Sequence, residues 1–226
     1  MIATIEKRTA AIPPIDAAAP PQTETATFAL GCFWGPDSRV GRLKGVVRTR
    51  VGYSGGTKEA PTYHSLGDHT ETIQIDYDPS QISYSDLLDI FWRNHNPGVR
   101  AWSKQYMAAV FYHTDEQKKL AEESREREAS KREKRIQTQI LPFTAFYRAE
   151  DYHQKYRLRR ERNLLQEFER IYPTGDDLTD STAAARVNGY LGGYGTSADL
   201  KADLNRLGLS AEGGRYLFRI VDSKNP

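Results

Sequence analysis

The only cysteine of this 226-residue chain, Cys32, stands in the stretch GCFWG, between a glycine and two aromatic residues. A cysteine thiolate is a strong nucleophile, and backbone N–H groups at the start of a helix lower the pKa of a thiol because they favour its anion. Phe33 and Trp34 form a small apolar wall beside the thiol, which suits a compact apolar group such as a methyl. A lone cysteine is more often a buried, inert core residue, so this stretch alone leaves both interpretations open.

A carboxyl group could supply a proton to the substrate that such a nucleophile attacks. In the stretch GDHTETIQI, Glu71 alternates with Ile73 and Ile75, which predicts that its side chain points to the buried face of a strand. Burial raises the pKa of a carboxyl group and makes it an acid near neutral pH. Asp68 and His69 precede it at the mouth of the same strand. A solvated carboxylate at a strand start is the plainer alternative.

Two tyrosines could hold a polar atom of a substrate. Tyr63 lies in the stretch APTYHS and Tyr106 in the stretch KQYMAA. A buried tyrosine usually satisfies a single hydrogen bond. Next to a nucleophile, the same hydroxyl groups can bind an oxygen atom on which charge develops.

The elements that position these residues are predicted from hydrophobic periodicity and capping signals. Strands are expected at 25–31, 45–56, 70–78, 107–113 and 136–141, and helices at 32–43, 82–95, 114–135 and within 149–172. Strands and helices alternate without regular βαβ units. This pattern predicts an α+β fold, a mixed or antiparallel sheet with helices packed on it as in a ferredoxin-like sandwich, followed by an irregular C-terminal extension.

Three segments are expected along the chain. Residues 1–24 are rich in Ala, Pro and Thr and are predicted to be a flexible lead-in. Residues 25–172 form the catalytic α+β domain. Residues 173–226 hold a glycine-rich tail and a small segment with helical spacing and a possible last strand, and they are expected to pack on the catalytic domain.

Composition limits the class of protein and its partners. The 32 basic and 30 acidic residues give a net charge of +2, which is no electrostatic signature of nucleic-acid binding. No apolar run is long enough to span a bilayer, so no membrane partner is expected. One cysteine forms no internal disulfide, which makes the cytoplasm the default compartment. The N-terminal stretch lacks the apolar core of a secretory signal and leaves a cleaved organelle transit peptide open.

Taken together, these stretches resemble the A type of peptide methionine sulfoxide reductase. The resemblance covers about Thr25–Tyr156, and the matching stretches come in the family's order. They are GCFWG, GVVRTRVGYSGG, PTYHSL, DHTETIQIDYDPSQISYSDLLDIFWRNHNP, KQYMAAVFYH and FYRAEDYHQKY. The combination of GCFWG with GYSGG and PTY is specific.

The resemblance implies an oxidoreductase that reduces the S epimer of methionine sulfoxide, free or in proteins, to methionine. Cys32 would attack the sulfoxide sulfur and become a sulfenic acid, and Glu71 would be the neutral acid that protonates the sulfoxide oxygen. Such chemistry contributes to protein repair under oxidative stress. It needs no metal and no bound cofactor, only an external thiol. A monomer is expected.

The remaining roles follow from the same resemblance. Phe33 and Trp34 would hold the substrate methyl group, and Tyr63 and Tyr106 would donate hydrogen bonds to the sulfoxide oxygen. These assignments agree with what the residue types suggest on their own.

Two departures from the family pattern lie near the acid. Asp68 stands where the family usually has glycine, in a shortened loop before His69, and both residues are expected to contribute to substrate binding. Ahead of Tyr106 the family usually has a longer loop with an aspartate, whereas here Ala101 or a neighbour takes that place. Asp68 is a spatial substitute for that aspartate in this interpretation.

A third departure concerns regeneration of the thiol. Leu191, in the stretch NGYLGGYG, stands where many members carry a resolving cysteine. The sulfenic acid must then be reduced from outside, by thioredoxin or by glutathione with glutaredoxin. Single-cysteine members exist in the family, so the departure is compatible with activity.

Two alternatives stay open at this point. A divergent member could bind oxidised methionine in partner proteins with slow turnover or none. A cysteine hydrolase could pair Cys32 with His69, His95 or His153, although no oxyanion-hole signature accompanies these residues.

Overall fold

A six-stranded sheet forms the centre of the computed structural model, which describes residues 11–133 and 135–224. The strand order is β5-β4-β1-β3-β2-β6. All neighbouring strands are antiparallel except β4 and β5, which are parallel. The strands are β1 (Glu24–Leu30), β2 (Val46–Ser54), β3 (Thr70–Tyr77), β4 (Ala108–Tyr112), β5 (Gln139–Pro142) and β6 (Phe146–Arg148). The predicted α+β class with a mixed sheet is confirmed.

Helices cover the sheet and continue beyond it. The α-helices are α1 (Pro14–Ala17), α2 (Trp34–Gly41), α3 (Tyr84–Arg93), α4 (Asp115–Ser130), α5 (Tyr156–Arg159), α6 (Arg162–Ile171), α7 (Gly175–Asp180), α8 (Thr182–Leu191), α9 (Ser197–Asp203) and α10 (Ala211–Lys224). Short 3-10 helices occupy Lys104–Tyr106 and Leu204–Arg206. The predicted capping box of α3 is present, because the Ser83 and Asp86 side chains each bond the other's backbone N–H.

The C-terminal part is helical, so the prediction of an irregular extension with a last strand is wrong. Helices α7 to α10 follow one another from residue 175, and the segment expected as a strand lies within α10. Every residue of α8 is buried. Its alanines and glycine give a weak hydrophobic signal, but small side chains let helices pack closely. A Cβ at Gly189 would lie 2.7 Å from the Ser38 carbonyl oxygen of α2.

The lead-in prediction also needs correction where the structure describes it. Residues 1–10 lie outside the described residues, but α1 packs against the C-terminal helices through the buried Ile15. Asp16 accepts hydrogen bonds from the Ala183 backbone N–H at 3.0 Å and the Ser181 hydroxyl at 2.9 Å. These contacts fix residues that composition alone assigns to a flexible segment.

Both faces of β3 are buried. Ile73 and Ile75 pack into the main apolar cluster with α3 and α4. On the opposite face, the guanidinium of Arg50 donates to Asp76 at 3.0 Å and to Asp180 of α7 at 2.7 Å. The alternating pattern predicts a half-buried strand, but the C-terminal helices cover the polar face as well.

A buried ion pair joins α2, β2 and the turn before α5. The Lys155 ammonium lies 3.4 Å from the Asp37 carboxylate, and both side chains are fully buried. Lys155 also donates to the Thr49 carbonyl oxygen and hydroxyl, while Asp37 accepts from Thr49 and from Asn188 of α8. Burial lowers the pKa of Lys155, and the Asp37 charge opposes that effect. The network fixes α2, whose first residues follow Cys32.

Breaking this pair should destabilise the fold. Lys155→Met leaves a buried carboxylate without its cation, so we expect a loss of about 3–5 kcal/mol in the free energy of unfolding. Thermal unfolding should then shift down by about 10 °C. The double variant Asp37→Asn/Lys155→Met removes both charges and should be less destabilised than Lys155→Met alone. Equal unfolding temperatures for Lys155→Met and wild type would contradict a stabilising role for the pair.

Candidate active site

Cys32 lies on the short connection between β1 and α2. Gly31 turns the chain there with φ of +87°, a conformation that side-chain-bearing residues rarely adopt. The thiol is exposed and precedes the first turn of α2. The sequence prediction of a cysteine at a strand-to-helix junction therefore matches the structure.

The environment of Cys32 raises the pKa of its thiol above the ordinary value. Partial burial is the largest cause, and the negative charge of Glu71 adds to it. The Trp34 backbone N–H and the positive charge of Arg157 act in the opposite direction. The helix start thus favours the thiolate as the sequence suggests, but desolvation outweighs it, so the free thiol is mostly protonated at neutral pH.

Glu71 is buried directly beneath the cysteine loop. Its side chain is on β3, the residue is only 2% exposed, and its Oε2 accepts a hydrogen bond from the Phe33 backbone N–H at 3.0 Å. Burial raises the pKa of this carboxyl group, and hydrogen bonds from Gln105 and Phe33 counteract it in part. The predicted buried orientation of Glu71 is the one observed, and burial shifts the equilibrium of its carboxyl group toward the neutral form.

The 3-10 helix Lys104–Tyr106 holds two polar groups against Glu71. The Gln105 amide donates to Glu71 Oε1 at 2.9 Å. The pKa of Tyr106 is raised to about 12 by burial, the charge of Glu71 and a hydrogen bond with Tyr63. Sequence reasoning missed Gln105, although its position beside Tyr106 is the signal that could have found it.

Tyr63 is held in place by Glu150 and His153. Its backbone N–H donates to Glu150 Oε1 at 3.0 Å, and the other Glu150 oxygen accepts from the Tyr53 hydroxyl at 2.8 Å. The Tyr63 ring packs 4.7 Å from the ring of His153. Tyr63 therefore packs beside the apolar wall, and Tyr106 lies near Glu71 and Cys32.

The apolar wall is supported by residues after β6. Phe33 is buried, and its ring centroid lies 5.1 Å from that of His153. The Trp34 indole stacks on Tyr156 at 3.8 Å with an interplanar angle of 5°, and its N–H donates to His153 Nδ1 at 3.1 Å. Sequence reasoning assigned neither Tyr156 nor His153 to this wall, although both lie in the stretch FYRAEDYHQKY.

Asp68 and His69 hold the loop that follows β2. The Asp68 carboxylate accepts from the Thr57 backbone N–H at 2.7 Å and the Lys58 N–H at 3.3 Å, and it lies 3.7 Å from the Lys104 ammonium. These hydrogen bonds, led by that of Thr57, lower the pKa of Asp68 to about 2. The buried His69 ring accepts from the Gly56 N–H and bonds the Lys58 carbonyl oxygen.

The histidines do not form a hydrolase pair with Cys32. His69 bonds backbone groups through both ring nitrogens, and His95 bonds the Phe91 carbonyl oxygen and the Thr138 hydroxyl. His153 Nδ1 is occupied by the Trp34 indole. The geometry therefore favours a thiol paired with a buried neutral acid over a cysteine–histidine nucleophile.

Family models match both parts of the chain. The model for peptide methionine sulfoxide reductase matches residues 24–183. The model for the selenoprotein methionine sulfoxide reductase A helical domain matches residues 174–214. The second match covers much of the helical part that the sequence reasoning described as irregular.

Relatives and solved structures agree with these matches. A peptide methionine sulfoxide reductase of Drosophila melanogaster is 43% identical over 200 residues, 88% of this chain and 80% of its own. The reductase A5 of Oryza sativa is 43% identical over 180 residues, 77% of this chain and 70% of its own. Reduced Mxr1 of Saccharomyces cerevisiae superimposes with a TM-score of 0.57 at 30% identity, covering 66% of this chain and 88% of its own.

These matches and the α+β sheet identify the chain as an oxidoreductase. The chain belongs to the peptide methionine sulfoxide reductase family. Methionine sulfoxide reductase A of Corynebacterium diphtheriae, with a TM-score of 0.54 at 31% identity over 61% of this chain and 75% of its own, has the same fold. Across the described residues, no helix combines the length and apolarity that a membrane crossing requires.

Proposed function

We propose that this enzyme reduces methionine S-sulfoxide, free or in polypeptides, through a sulfenic acid on Cys32. The observation that carries the proposal is the hydrogen bond from the Phe33 N–H to the buried carboxyl group of Glu71. It holds the carboxyl group of Glu71 against the residue that follows Cys32, and burial raises the pKa of that carboxyl group. A sulfoxide is a poor electrophile until its oxygen is protonated, so nucleophile and acid must act on the same molecule.

The substrate binds between the apolar wall and the two tyrosines. Phe33 and Trp34 contact the methyl group, and Trp34 is held rigid by its stack on Tyr156. Tyr63 and Tyr106 donate hydrogen bonds to the sulfoxide oxygen, on which negative charge develops as the sulfur is attacked. The preorganised hydroxyl groups stabilise that charge without reorganisation.

The chemical step balances with one thiol and one sulfoxide. The Cys32 thiolate attacks the sulfoxide sulfur and forms a sulfur–sulfur bond while Glu71 protonates the oxygen. That bond and the sulfur–oxygen bond of the substrate then break as the hydroxyl group passes to the Cys32 sulfur, which releases methionine. The cysteine sulfur is oxidised by two electrons to a sulfenic acid, and the methionine sulfur is reduced by two. Glu71 is left ionised after the step and takes up a proton from solvent before the next turnover.

An external thiol completes the cycle, because the chain contains no second cysteine. A thiolate attacks the sulfenic acid, water leaves, and a mixed disulfide forms on Cys32. A second thiol then releases Cys32. Thioredoxin, or glutathione with glutaredoxin, is the proposed reductant, and the exposure of Cys32 supports access by a protein or peptide thiol.

Asp68 and His69 act on the substrate through the segments that they hold. Asp68 connects the loop after β2 with Lys104, which starts the 3-10 helix that carries Tyr106. His69 supports the same loop from below. Their proposed contribution is to keep Tyr106 and the mouth of the site in place where the family's usual aspartate is absent.

The proposed organisation divides the enzyme at residue 172. Residues 25–172 carry the catalytic groups, and residues 173–226 support α2 through α8 from outside the sheet. The cytoplasm is the proposed compartment, because one cysteine forms no internal disulfide, and a monomer is the proposed state.

A steady-state assay tests the proposal. The enzyme is supplied with dithiothreitol and, separately, with pure S and pure R epimers of methionine sulfoxide, and methionine formation is measured. We expect sustained formation from the S epimer and essentially none from the R epimer. Equal rates with both epimers, or no product from either, would contradict the proposal.

A further inference from the structure

Five aromatic rings form a continuous row across the site. The Trp102 ring centroid lies 5.3 Å from that of Tyr106. The Tyr63 ring lies 4.7 Å from His153, which lies 4.1 Å from Tyr152. The Tyr63 and Tyr106 hydroxyl groups lie near enough to influence each other electrostatically, and they join the two halves. We call this row the aromatic band, and its middle is the proposed seat of the sulfoxide oxygen.

Both ends of the aromatic band face solvent. Trp102 is 85% exposed and Tyr152 is 51% exposed. The described residues include four large exposed apolar side chains, namely Ile12, Val99, Trp102 and Tyr152. Val99 lies in the same loop as Trp102, so of these four only Ile12 is remote from the band. Val99 and Trp102 together line a cavity of about 680 Å³. Exposed apolar groups that gather around one site mark a binding surface.

An unpartnered donor lies within the same row. His153 is 1% exposed, and its Nδ1 accepts from the Trp34 indole, so the neutral ring carries its proton on Nε2. Burial lowers the pKa of His153, which keeps the ring neutral. Nε2 is buried without a hydrogen-bond partner in the described part of the chain. The row therefore contains a buried N–H group without a partner, next to the exposed Tyr152 ring.

We propose that the aromatic band binds an extended segment of a polypeptide substrate, with aromatic or large apolar residues on either side of the methionine sulfoxide. The inference rests on the proposed function, since it takes the sulfoxide to lie between Tyr63 and Tyr106. Trp102 contacts the residues on one side and Tyr152 those on the other. The band therefore sets a preference among protein substrates.

The dimensions of an extended chain fit this arrangement. Such a chain advances about 3.3 Å per residue, and its side chains alternate between faces. A segment centred on the sulfoxide therefore places its nearest neighbours along the rings toward Trp102 and Tyr152. Free methionine sulfoxide has no neighbours to place there. The band should therefore affect kcat/KM for peptides and have little effect on kcat/KM for the free amino acid.

A comparison of peptides tests the inference. Two capped pentapeptides with a central methionine S-sulfoxide carry either phenylalanine or glycine on both sides, and free methionine S-sulfoxide is the third substrate. We expect the wild type to favour the phenylalanine peptide over the glycine peptide by about fivefold in kcat/KM. Trp102→Ala and Tyr152→Ala should each bring that ratio to about twofold or less, and Trp102→Phe should keep most of it.

Controls separate this inference from the proposed function. Ile12→Ala removes a comparably exposed apolar side chain from outside the band and should keep the wild-type peptide ratio. The inference is overturned if the wild type shows no aromatic preference, or if Trp102→Ala and Tyr152→Ala both keep the ratio of Ile12→Ala. If the wild type fails to reduce even free methionine sulfoxide, the proposed function fails instead.

Discussion

Cys32→Ser is expected to reduce methionine formation below detection, a loss of at least about 10⁴-fold. A serine hydroxyl is a poor nucleophile, and its oxygen cannot accept the sulfoxide oxygen by a two-electron oxidation as sulfur does. Because Cys32 is exposed, the substitution should change the free energy of unfolding by only about 0.5 kcal/mol. The measurement is methionine released per minute with excess dithiothreitol, together with the thermal unfolding midpoint.

A folded Cys32→Ser variant that still releases methionine at a tenth of the wild-type rate would refute the assignment of the nucleophile. Gly31→Ala is a useful companion variant, because it leaves the thiol in place but strains the turn that presents it. We expect Gly31→Ala to be less active than wild type and more active than Cys32→Ser.

Glu71→Gln is expected to slow the chemical step by about 10²–10⁴-fold, the usual contribution of a positioned acid. The amide keeps the size of the side chain but has no proton to transfer to the sulfoxide oxygen. The measurement is the rate of a single turnover across the pH range, since that rate reports the chemical step rather than the reductant.

The pH profile distinguishes an acid from a merely structural carboxylate. The reactive form pairs a protonated Glu71 with an ionised Cys32, and both pKa values are raised. The wild-type rate should rise at low pH, stay level between the two pKa values, and fall above the thiol pKa because protonated Glu71 is then depleted. Glu71→Gln should instead rise until the thiol is ionised and then stay level. Identical profile shapes would contradict the role of Glu71.

Stability provides the control for this variant. The pKa of Glu71 is raised in the folded protein, so its contribution to the free energy of unfolding falls with rising pH. The fall runs from its pKa in the unfolded chain to its pKa in the folded one. At pH 7 the neutral amide of Glu71→Gln removes that penalty, so we expect unfolding at the wild-type temperature or above. The difference should shrink toward pH 4. A large loss of stability at pH 7 would mean that activity was lost through misfolding.

The catalytic part of the fold, residues 25–172, follows from strong local patterns in the sequence. The strict alternation of Glu71, Ile73 and Ile75 predicts both the strand and the burial of the acid. The apolar run before Gly31 and the proline early in α2 predict the junction that carries Cys32. Motif order then connects segments that are distant in sequence, which periodicity alone cannot do.

The C-terminal helical part was not predictable in the same way. Helix α8 is entirely buried yet consists largely of small residues, so its hydrophobic pattern is weak. Its burial depends on close contact with α2 at Gly189, which is a tertiary effect. The possible strand near the C-terminus became part of α10 because helical spacing continues through Leu217 and Val221, which pack into the helical cluster.

The residues that support the site were also missed by sequence reasoning. Gln105, His153 and Tyr156 act through contacts with Glu71 and Trp34, which only the folded chain brings near them. The direction of the pKa shift of Cys32 was likewise not predicted from the sequence. A helix start predicts a lower value, but the balance against desolvation depends on how deeply the thiol is packed.

The central claim is that Cys32 takes the oxygen of methionine S-sulfoxide without help from another thiol. The most direct measurement is a single turnover of the fully reduced enzyme with racemic methionine sulfoxide and no reductant, followed by trapping of Cys32 with a sulfenic-acid reagent. We expect about one methionine per chain, from the S epimer only, with Cys32 trapped as the sulfenic acid. Absence of methionine, with Cys32 still open to alkylation, would contradict it and favour a protein that binds oxidised methionine without reducing it.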